Sequence, residues 1–183
     1  TPVILASVFC YKHTYLFNFS IFFATLIAAI LIQILTNFIN DLYDFKKGAD
    51  TSKRLGPERM VQKGYLHENE VKKAIYIVFA LCLLIGSFLV FKGGIIILLI
   101  GVSSLFFTYF YTATSFSIAY NGYGDFFVFL YFGVIASIGT VFLQTNDYYY
   151  ASFLIGCISG CLNVALLVVN NLRDVKEDSK SNK

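Results

Sequence analysis

The chain has 183 residues, of which 57% are hydrophobic and 14% are charged. A soluble domain carries about 25% charged residues, so this composition excludes an ordinary soluble protein and predicts that lipid is the solvent. The net charge of +3 is small, and we expect no nucleic-acid partner.

Long runs without charged residues predict the transmembrane helices. Crossing a bilayer takes about 20 apolar residues, and the runs cover residues 14–40, 74–91, 93–124, 126–146 and 148–172. The third run is too long for one span and contains a polar stretch at 112–117. It therefore predicts a helix, a loop and the start of the next helix, which gives five full spans in all.

In chain order, a first helix at 1–11 is too short to cross alone, and five spans follow at about 15–44, 71–91, 94–111, 124–143 and 149–174. A cleaved signal peptide is the alternative for 1–11, but that stretch lacks a charged beginning and a clear cleavage site. There is no initiator methionine, and the chain stops in a charged segment. We therefore expect an all-α integral-membrane bundle in which 1–183 is part of a single longer domain.

Basic residues predict which helix ends face the cytoplasm. The segments after the first and last full spans hold eight and four of the fourteen Lys and Arg residues, and only Lys12 and Lys92 lie elsewhere. The positive-inside rule places both basic segments in the cytoplasm. Parity agrees, because four further crossings return the chain to the side on which the first full span ends. We expect a multi-pass protein of the cell (inner) membrane.

The cysteines predict neither a disulfide framework nor a metal site. Cys157 and Cys161 lie one helical turn apart, but no His or third Cys joins them, so packing is the better interpretation. In the same segment Gly156 and Gly160 form a GxxxG pattern, which predicts close packing against another helix.

A stripe of polar residues runs along the first full span toward its cytoplasmic end. Gln33, Asn37, Asn40, Asp41 and Asp44 follow helical spacing and share one face. The last span repeats the pattern with a set of its own on one face: Asn163, Asn170, Asn171, Asp174 and Asp178. We expect the two carboxylate clusters to lie on the same, cytoplasmic side.

The alternative interpretation is that both stripes are ordinary helix ends that reach water. Asp is unfavourable near a helix C-terminus, where the macrodipole already places partial negative charge. Amides inside a span are unfavourable unless they are paired, and ionisable groups there usually mark function. The repetition on two helices at one side of the membrane favours a functional site.

Ionisation of a diphosphate ester is a chemistry that needs two such clusters. Mg²⁺ takes oxygen ligands, usually one or two carboxylates together with phosphate oxygens and waters. Two carboxylate groups that face each other can therefore hold the cofactor Mg²⁺ around a leaving pyrophosphate and stabilise its growing charge. Nearby Lys and Arg side chains neutralise the remaining charge.

These motifs resemble those of the UbiA prenyltransferase superfamily. The first is NDxxD at 40–44 followed by Asp50, within NDLYDFKKGADTSKRLGPERMVQKGYL, and the second is DxxxD at 174–178, within VVNNLRDVKED. Between them, YNGYGDFFVFLYFGVIASIGT at 120–140 is also similar. The six-residue gap before Asp50 and the FKKGADT run resemble the 1,4-dihydroxy-2-naphthoate polyprenyltransferase (MenA) branch. The likeness covers nearly the whole chain.

The resemblance implies nine transmembrane helices around a central chamber, of which this chain holds five full spans and part of a first helix. It implies transfer of a polyprenyl chain from polyprenyl diphosphate to 1,4-dihydroxy-2-naphthoate, with loss of CO₂, giving demethylmenaquinone. Because helices of the implied chamber are absent, we expect the 183-residue chain to be inactive alone. Two positions depart from the pattern: Asn121 replaces a common basic residue, and Asn182 replaces a common glycine.

The predicted catalytic residues are Asp41, Asp44, Asp174 and Asp178, and these four with Asn40 form the predicted Mg²⁺ set. The predicted substrate-binding residues are the polar side chains around them: Asn37, Asn40, Asp50, Lys53, Arg54, Arg59, Asn170, Asn171, Arg173 and Lys183. Four other lysines are interpreted as solvated positive-inside charges: Lys46, Lys47, Lys72 and Lys73. Tyr43 and Tyr111 are the aromatic residues singled out for contact with an allylic cation.

Two alternatives stay open at this point. A divalent-cation transporter also uses Asp and Asn in helices, but it needs charged sites near the bilayer midplane, whereas these lie at helix ends beside a basic segment. Another UbiA enzyme with a hydroxybenzoate or homogentisate acceptor is the nearer alternative, and the FKKGADT and RLGP runs count against it.

Overall fold

The computed structural model describes residues 1–48, 59–114 and 117–178, the last three of them as backbone only. Within these ranges the chain consists of helices and turns, without a strand. The predicted all-α class is confirmed. The predicted site residues Asp50, Lys53, Arg54 and Lys183 lie outside the described residues, as does the side chain of Asp178.

The helices are, in order, α1 (Pro2–Phe9), α2 (Phe19–Lys46), α3 (Glu68–Phe110), α4 (Gly124–Phe129), α5 (Ala136–Thr145) and α6 (Tyr150–Asp178). A π-helical segment, Cys10–Thr14, extends α1, and a second, Leu130–Ile135, joins α4 to α5 in one continuous rod. Four helical stretches within the described residues are long and apolar enough to cross a membrane: α2, α3, the α4–α5 rod and α6.

The 43-residue helix α3 is two of the predicted spans folded back on each other at Gly94. Gly94 has φ 62° and ψ −148°, a left-handed backbone conformation that favours glycine. Ile75 and Leu105 would be about 45 Å apart in a straight helix, yet both pack against the cluster that contains Leu35 and Ile39 of α2. The two arms of α3 therefore lie side by side along α2, as the predicted spans 71–91 and 94–111 require.

The ends of α2 follow from local chemistry. The Asn18 side chain caps its start by accepting a hydrogen bond from the Ile21 N–H at 3.1 Å. The helix ends at Lys46, and Gly48 then adopts φ +70°, a left-handed conformation that favours glycine after a helix end. The predicted start at residue 15 is four residues early, because Tyr15 itself is left-handed and ends the preceding π-helical segment.

The predicted GxxxG contact is confirmed, and its partner is the α4–α5 rod. A Cβ on Gly133 of the rod would lie 2.5 Å from the Cα of Gly160, and a Cβ on Gly156 would lie 2.6 Å from the Cα of Val134. Backbone therefore meets backbone at this crossing, which only glycine permits. The contact fixes where α6 lies relative to the rest of the bundle.

Candidate active site

A cavity of about 1620 Å³ lies between α2, α3, the α4–α5 rod and α6. Helix α2 lines the cavity from Thr25 to Asp44, and the two ends of this wall differ in chemistry. Near Thr25 the wall is largely apolar, with Leu26, Ile97 and Leu143, whereas near Asp44 it is polar. The polar end holds most of the site residues predicted within the described part of the chain: Asn37, Asn40, Asp41, Asp44, Arg59, Asn170, Asn171, Arg173 and Asp174.

The two carboxylates of the first cluster are buried and oriented by neighbouring groups. Asp44 is 1% exposed, and its Oδ1 accepts a hydrogen bond from the Tyr120 hydroxyl at 2.9 Å. Its Oδ2 pairs with Arg59 Nη2 at 3.3 Å. Asp41 is 6% exposed, and its Oδ2 accepts a bond from the Met60 backbone N–H at 3.2 Å. The segment that carries Arg59 and Met60 therefore closes directly over the end of α2.

The amides on the same face of α2 continue the polar wall away from the carboxylates. Asn40 Oδ1 accepts a hydrogen bond from the Thr112 hydroxyl in the segment after α3. One turn farther along, Asn37 Oδ1 accepts a bond from Gln33 Nε2 at 3.5 Å. Asn37 and Gln33 both line the cavity, so the predicted stripe faces its interior.

The second cluster reaches the same cavity from α6. Asp174 is 9% exposed, and its two carboxylate oxygens pair with Arg173 Nε and Nη2 at 2.8 and 2.9 Å. This bidentate pair holds the Arg173 guanidinium next to the Asp174 carboxylate. A phosphate in the cavity can also reach the guanidinium. The predicted convergence of the two helix ends on one cavity is therefore present for Asp41, Asp44 and Asp174.

The sequence of the chain matches a known protein family. The profile of the UbiA prenyltransferase family matches residues 1–183, which is the whole chain. The chain belongs to the UbiA prenyltransferase family. The predicted family resemblance is confirmed, and with it the fold class of a multi-pass helical membrane bundle.

Two curated relatives of this UbiA chain carry the same enzyme name. It is 33% identical to the 1,4-dihydroxy-2-naphthoate octaprenyltransferase of Haemophilus influenzae over 201 residues, covering 100% of this chain and 63% of that protein. It is 36% identical to the protein of the same name from Escherichia coli over 167 residues, covering 86% of this chain and 53% of the relative. The chain thus spans between about half and two thirds of these relatives. No solved structure matches it.

Three residues of this UbiA site were missed by the sequence interpretation. Thr112 and Tyr120 lie between α3 and α4 and hydrogen-bond to Asn40 and Asp44, but sequence spacing does not show which loop meets α2. Lys47, predicted to be a solvated charge, is exposed but also contacts the loop after α3. Its ammonium donates to the backbone carbonyls of Thr112 and Thr114 at 2.6 and 2.9 Å.

Tyr111, predicted to contact a cation, lies just after α3 in the cavity wall. Burial raises the pKa of Tyr111 to about 12, and the negative charges of Asp125 and Asp44 add to the rise. The phenol therefore stays protonated at neutral pH. A Cβ on Gly124 would lie 3.1 Å from the Tyr111 hydroxyl, so glycine at this position lets α4 begin close to it.

The donor atoms at the polar end suit Mg²⁺. Asp41, Asp44, Asp174 and Asn40 offer only hard oxygen donors, which Mg²⁺ and Ca²⁺ prefer over softer metals. Across the described part of the chain, no three His, Cys, Asp or Glu residues are close enough to form a complete metal site. Mg²⁺ typically needs one or two carboxylates and fills its remaining positions with phosphate oxygens and water. The residues present therefore fit this ion.

Proposed function

We propose that the protein transfers a polyprenyl group from polyprenyl diphosphate to 1,4-dihydroxy-2-naphthoate with loss of CO₂, with Mg²⁺ as cofactor. The observation that carries the proposal is the meeting of two Asp-bearing helix ends, from α2 and α6, at the polar end of a single long cavity. The names of the relatives point to dihydroxynaphthoate as the acceptor. The carboxylate and amide oxygens at the two helix ends can bind the diphosphate through Mg²⁺.

The cavity suits a long hydrophobic donor. Its α2 wall runs from Thr25 to Asp44, a rise of about 28 Å along the helix. That length is close to the thickness of the hydrocarbon core of a bilayer, about 30 Å. A polyprenyl tail would lie along the apolar wall near Leu26, Ile97 and Leu143 while its diphosphate reached the polar end. Apolar contacts recognise length poorly, so we expect several chain lengths to be accepted.

The leaving group would be held by side chains from both clusters. Asp41, Asp44, Asp174 and Asp178, with Asn40, would hold Mg²⁺, which on binding would neutralise charge on the departing pyrophosphate. Arg59 and Arg173 each lie beside a carboxylate of the site, at 3.3 and 2.8 Å, and can bind phosphate oxygens in the same region. The carboxylates of Asp41, Asp44 and Asp174 are buried, which strengthens their electrostatic interactions because little water competes.

The transfer itself balances without an enzyme base. The C1–O bond of the donor breaks and its electron pair leaves with pyrophosphate. The ring carbon that bears the carboxylate bonds to C1, and the C–CO₂ bond then breaks and returns its electron pair to the ring. The direct product is the quinol form of demethylmenaquinone. The neutral phenol of Tyr111, in the cavity wall, is the candidate to stabilise positive charge at C1. The ring of Tyr43, the other tyrosine predicted for this role, packs instead against Tyr109, with the ring centroids 5.9 Å apart.

We also infer that the polar end faces the cytoplasm in the cell (inner) membrane. In the sequence, basic segments follow the ends of α2 and α6 that carry the Asp residues, and the positive-inside rule places such segments in the cytoplasm. The orientation is checked by labelling Lys63→Cys and Asp147→Cys, which lie at opposite ends of the bundle, in intact cells. Only Asp147→Cys should react with an impermeant reagent beyond the labelling of the wild-type cysteines.

The acceptor is tested by a parallel assay of the full-length protein in lipid vesicles. Mg²⁺ and polyprenyl diphosphate are supplied with dihydroxynaphthoate, hydroxybenzoate or homogentisate, and prenylated product and CO₂ are measured. We expect product and CO₂ in equal amounts with dihydroxynaphthoate alone. If hydroxybenzoate is prenylated and dihydroxynaphthoate is not, the proposed acceptor is wrong but the proposed prenyl transfer stands. Release of pyrophosphate with none of the three would place the acceptor outside this set.

A further inference from the structure

Lys47 holds the loop between α3 and α4, residues 111–123, at the end of α2. The structure describes this loop at 111–114 and 117–123. The Lys47 ammonium donates to the Thr112 and Thr114 carbonyls at 2.6 and 2.9 Å and to the Ser117 hydroxyl at 3.4 Å. These three bonds match the three donors of an ammonium group. Lys47 follows the last residue of α2, where a positive charge also stabilises the helix dipole.

The same loop returns to the site through Tyr120. The Lys47 ammonium lies 4.5 Å from the centre of the Tyr120 ring, and the Tyr120 hydroxyl donates to Asp44 Oδ1 at 2.9 Å. A cation over the ring attracts its electrons, and linked polar groups of this kind polarise one another. Lys47 and Asp44 are three residues apart at the same end of α2. The loop links them, because Lys47 binds its backbone and its Tyr120 binds Asp44.

A second contact ties the loop to the neighbouring ligand position. The Thr112 hydroxyl donates to Asn40, and the Thr112 carbonyl is one of the groups that Lys47 holds. Thr112 and Ser117 are 1% and 0% exposed, so the loop is packed where these contacts form. Two residues of the NDxxD motif, Asn40 and Asp44, are thus oriented by one short segment.

We propose that Lys47 and Tyr120 are positioning residues that hold Asp44, through the 111–123 loop, in the orientation required by the metal and diphosphate. This inference rests on the proposed function. Asp44 lies in the last turn of α2, a place where helices commonly fray. Ligands must be held to within about 0.5 Å for productive geometry. Lys47 and Tyr120 supply that restraint, because the Tyr120 hydroxyl holds the Asp44 carboxylate and Lys47 holds the loop that carries Tyr120.

The test uses two variants with matched neighbours as controls. Tyr120→Phe removes only the hydroxyl, and Lys47→Met removes only the charge and its donors. Their controls are Tyr123→Phe, an exposed tyrosine of the same loop, and Lys46→Met, whose ammonium lies 4.0 Å from Glu68 away from the Asp44 carboxylate. Lys47→Arg is the conservative variant, because a guanidinium can also donate to several carbonyls.

Three quantities are measured on the full-length protein. They are the Mg²⁺ concentration for half-maximal activity, the KM for the acceptor, and binding of Mn²⁺, followed by EPR with an unreactive prenyl thiodiphosphate present. We expect Tyr120→Phe and Lys47→Met to raise the half-saturating Mg²⁺ and the Mn²⁺ dissociation constant about tenfold, with the acceptor KM unchanged. Lys47→Arg should recover most of this loss, and both controls should match wild type.

The contrary results are equally specific. If Tyr120→Phe and Lys47→Met bind Mn²⁺ as tightly as their controls, the positioning role is wrong, even where the melting temperature falls. A rise in acceptor KM without a change in metal affinity also overturns it. The Mn²⁺ measurement needs no turnover, so it stays informative if wild type prenylates none of the acceptors. Failure of the wild type to prenylate any of the acceptors would refute the proposed function instead.

Discussion

The contact between α6 and the α4–α5 rod gives a sharp prediction about stability. Replacing Gly156 with Ala adds a methyl group at a point where backbone meets backbone. The new Cβ would lie 2.6 Å from the Val134 Cα and 3.2 Å from the Gly133 carbonyl oxygen. Neither neighbour is the flexible end of a side chain, so the helices themselves must move.

The magnitude follows from the distances. Carbon atoms pack at about 3.5–4.0 Å, so relief of the 2.6 Å contact separates the two backbones by about 1 Å. Adding a methylene to a well-packed site costs about 1–3 kcal/mol, and the shift also weakens contacts along α6. Because Asp174 lies on that helix, we expect Gly156→Ala to lower both stability and prenyl transfer.

The matched control is Gly101→Ala in the second arm of α3. Gly101 is also helical, but a Cβ there would meet nothing within 4 Å. Unfolding is followed by heating the full-length protein in detergent with a thiol-reactive dye. We expect the Gly156→Ala melting temperature to fall several degrees below that of Gly101→Ala. Equal melting temperatures for the two variants would show that the helices do not meet as described.

Three further outcomes test the site. Asp44→Asn and Asp174→Asn should each lower turnover about 10³-fold or more with the fold intact, since about 4 kcal/mol of leaving-group stabilisation corresponds to that factor. Exposed Asp147→Asn is the control, and near-normal rates in both site variants would contradict the assignment. Arg59→Ala should raise the donor KM about tenfold and leave the acceptor KM unchanged; an altered acceptor KM alone would argue against phosphate binding. Because the pKa of Tyr111 is raised to about 12, its contribution to stability is present below pH 10 and is lost as the pH rises toward 12. Unfolding measured across that range should therefore be less pH-dependent in Tyr111→Phe than in wild type, and identical slopes would contradict the raised pKa.

Several features follow from the sequence alone because they depend on local spacing. Charge-free runs predict the spans, and a fixed helical period places Asn40, Asp41 and Asp44 on one face. The break at Gly48 and the close packing of the GxxxG glycines also follow, since glycine alone permits a left-handed turn or backbone contact. Parity and basic residues then predict that the two acidic helix ends share one side.

Other features depend on contacts between residues far apart in the chain, and spacing cannot predict those. The roles of Lys47 and Tyr120 appear only once the 111–123 loop is placed beside the end of α2, because a lysine in a basic segment is otherwise a solvated charge. Arg59 pairs with Asp44 fifteen residues away for the same reason. Helical periodicity determines which side chains share a face, whereas tertiary packing decides which groups that face meets and how its carboxylates are oriented.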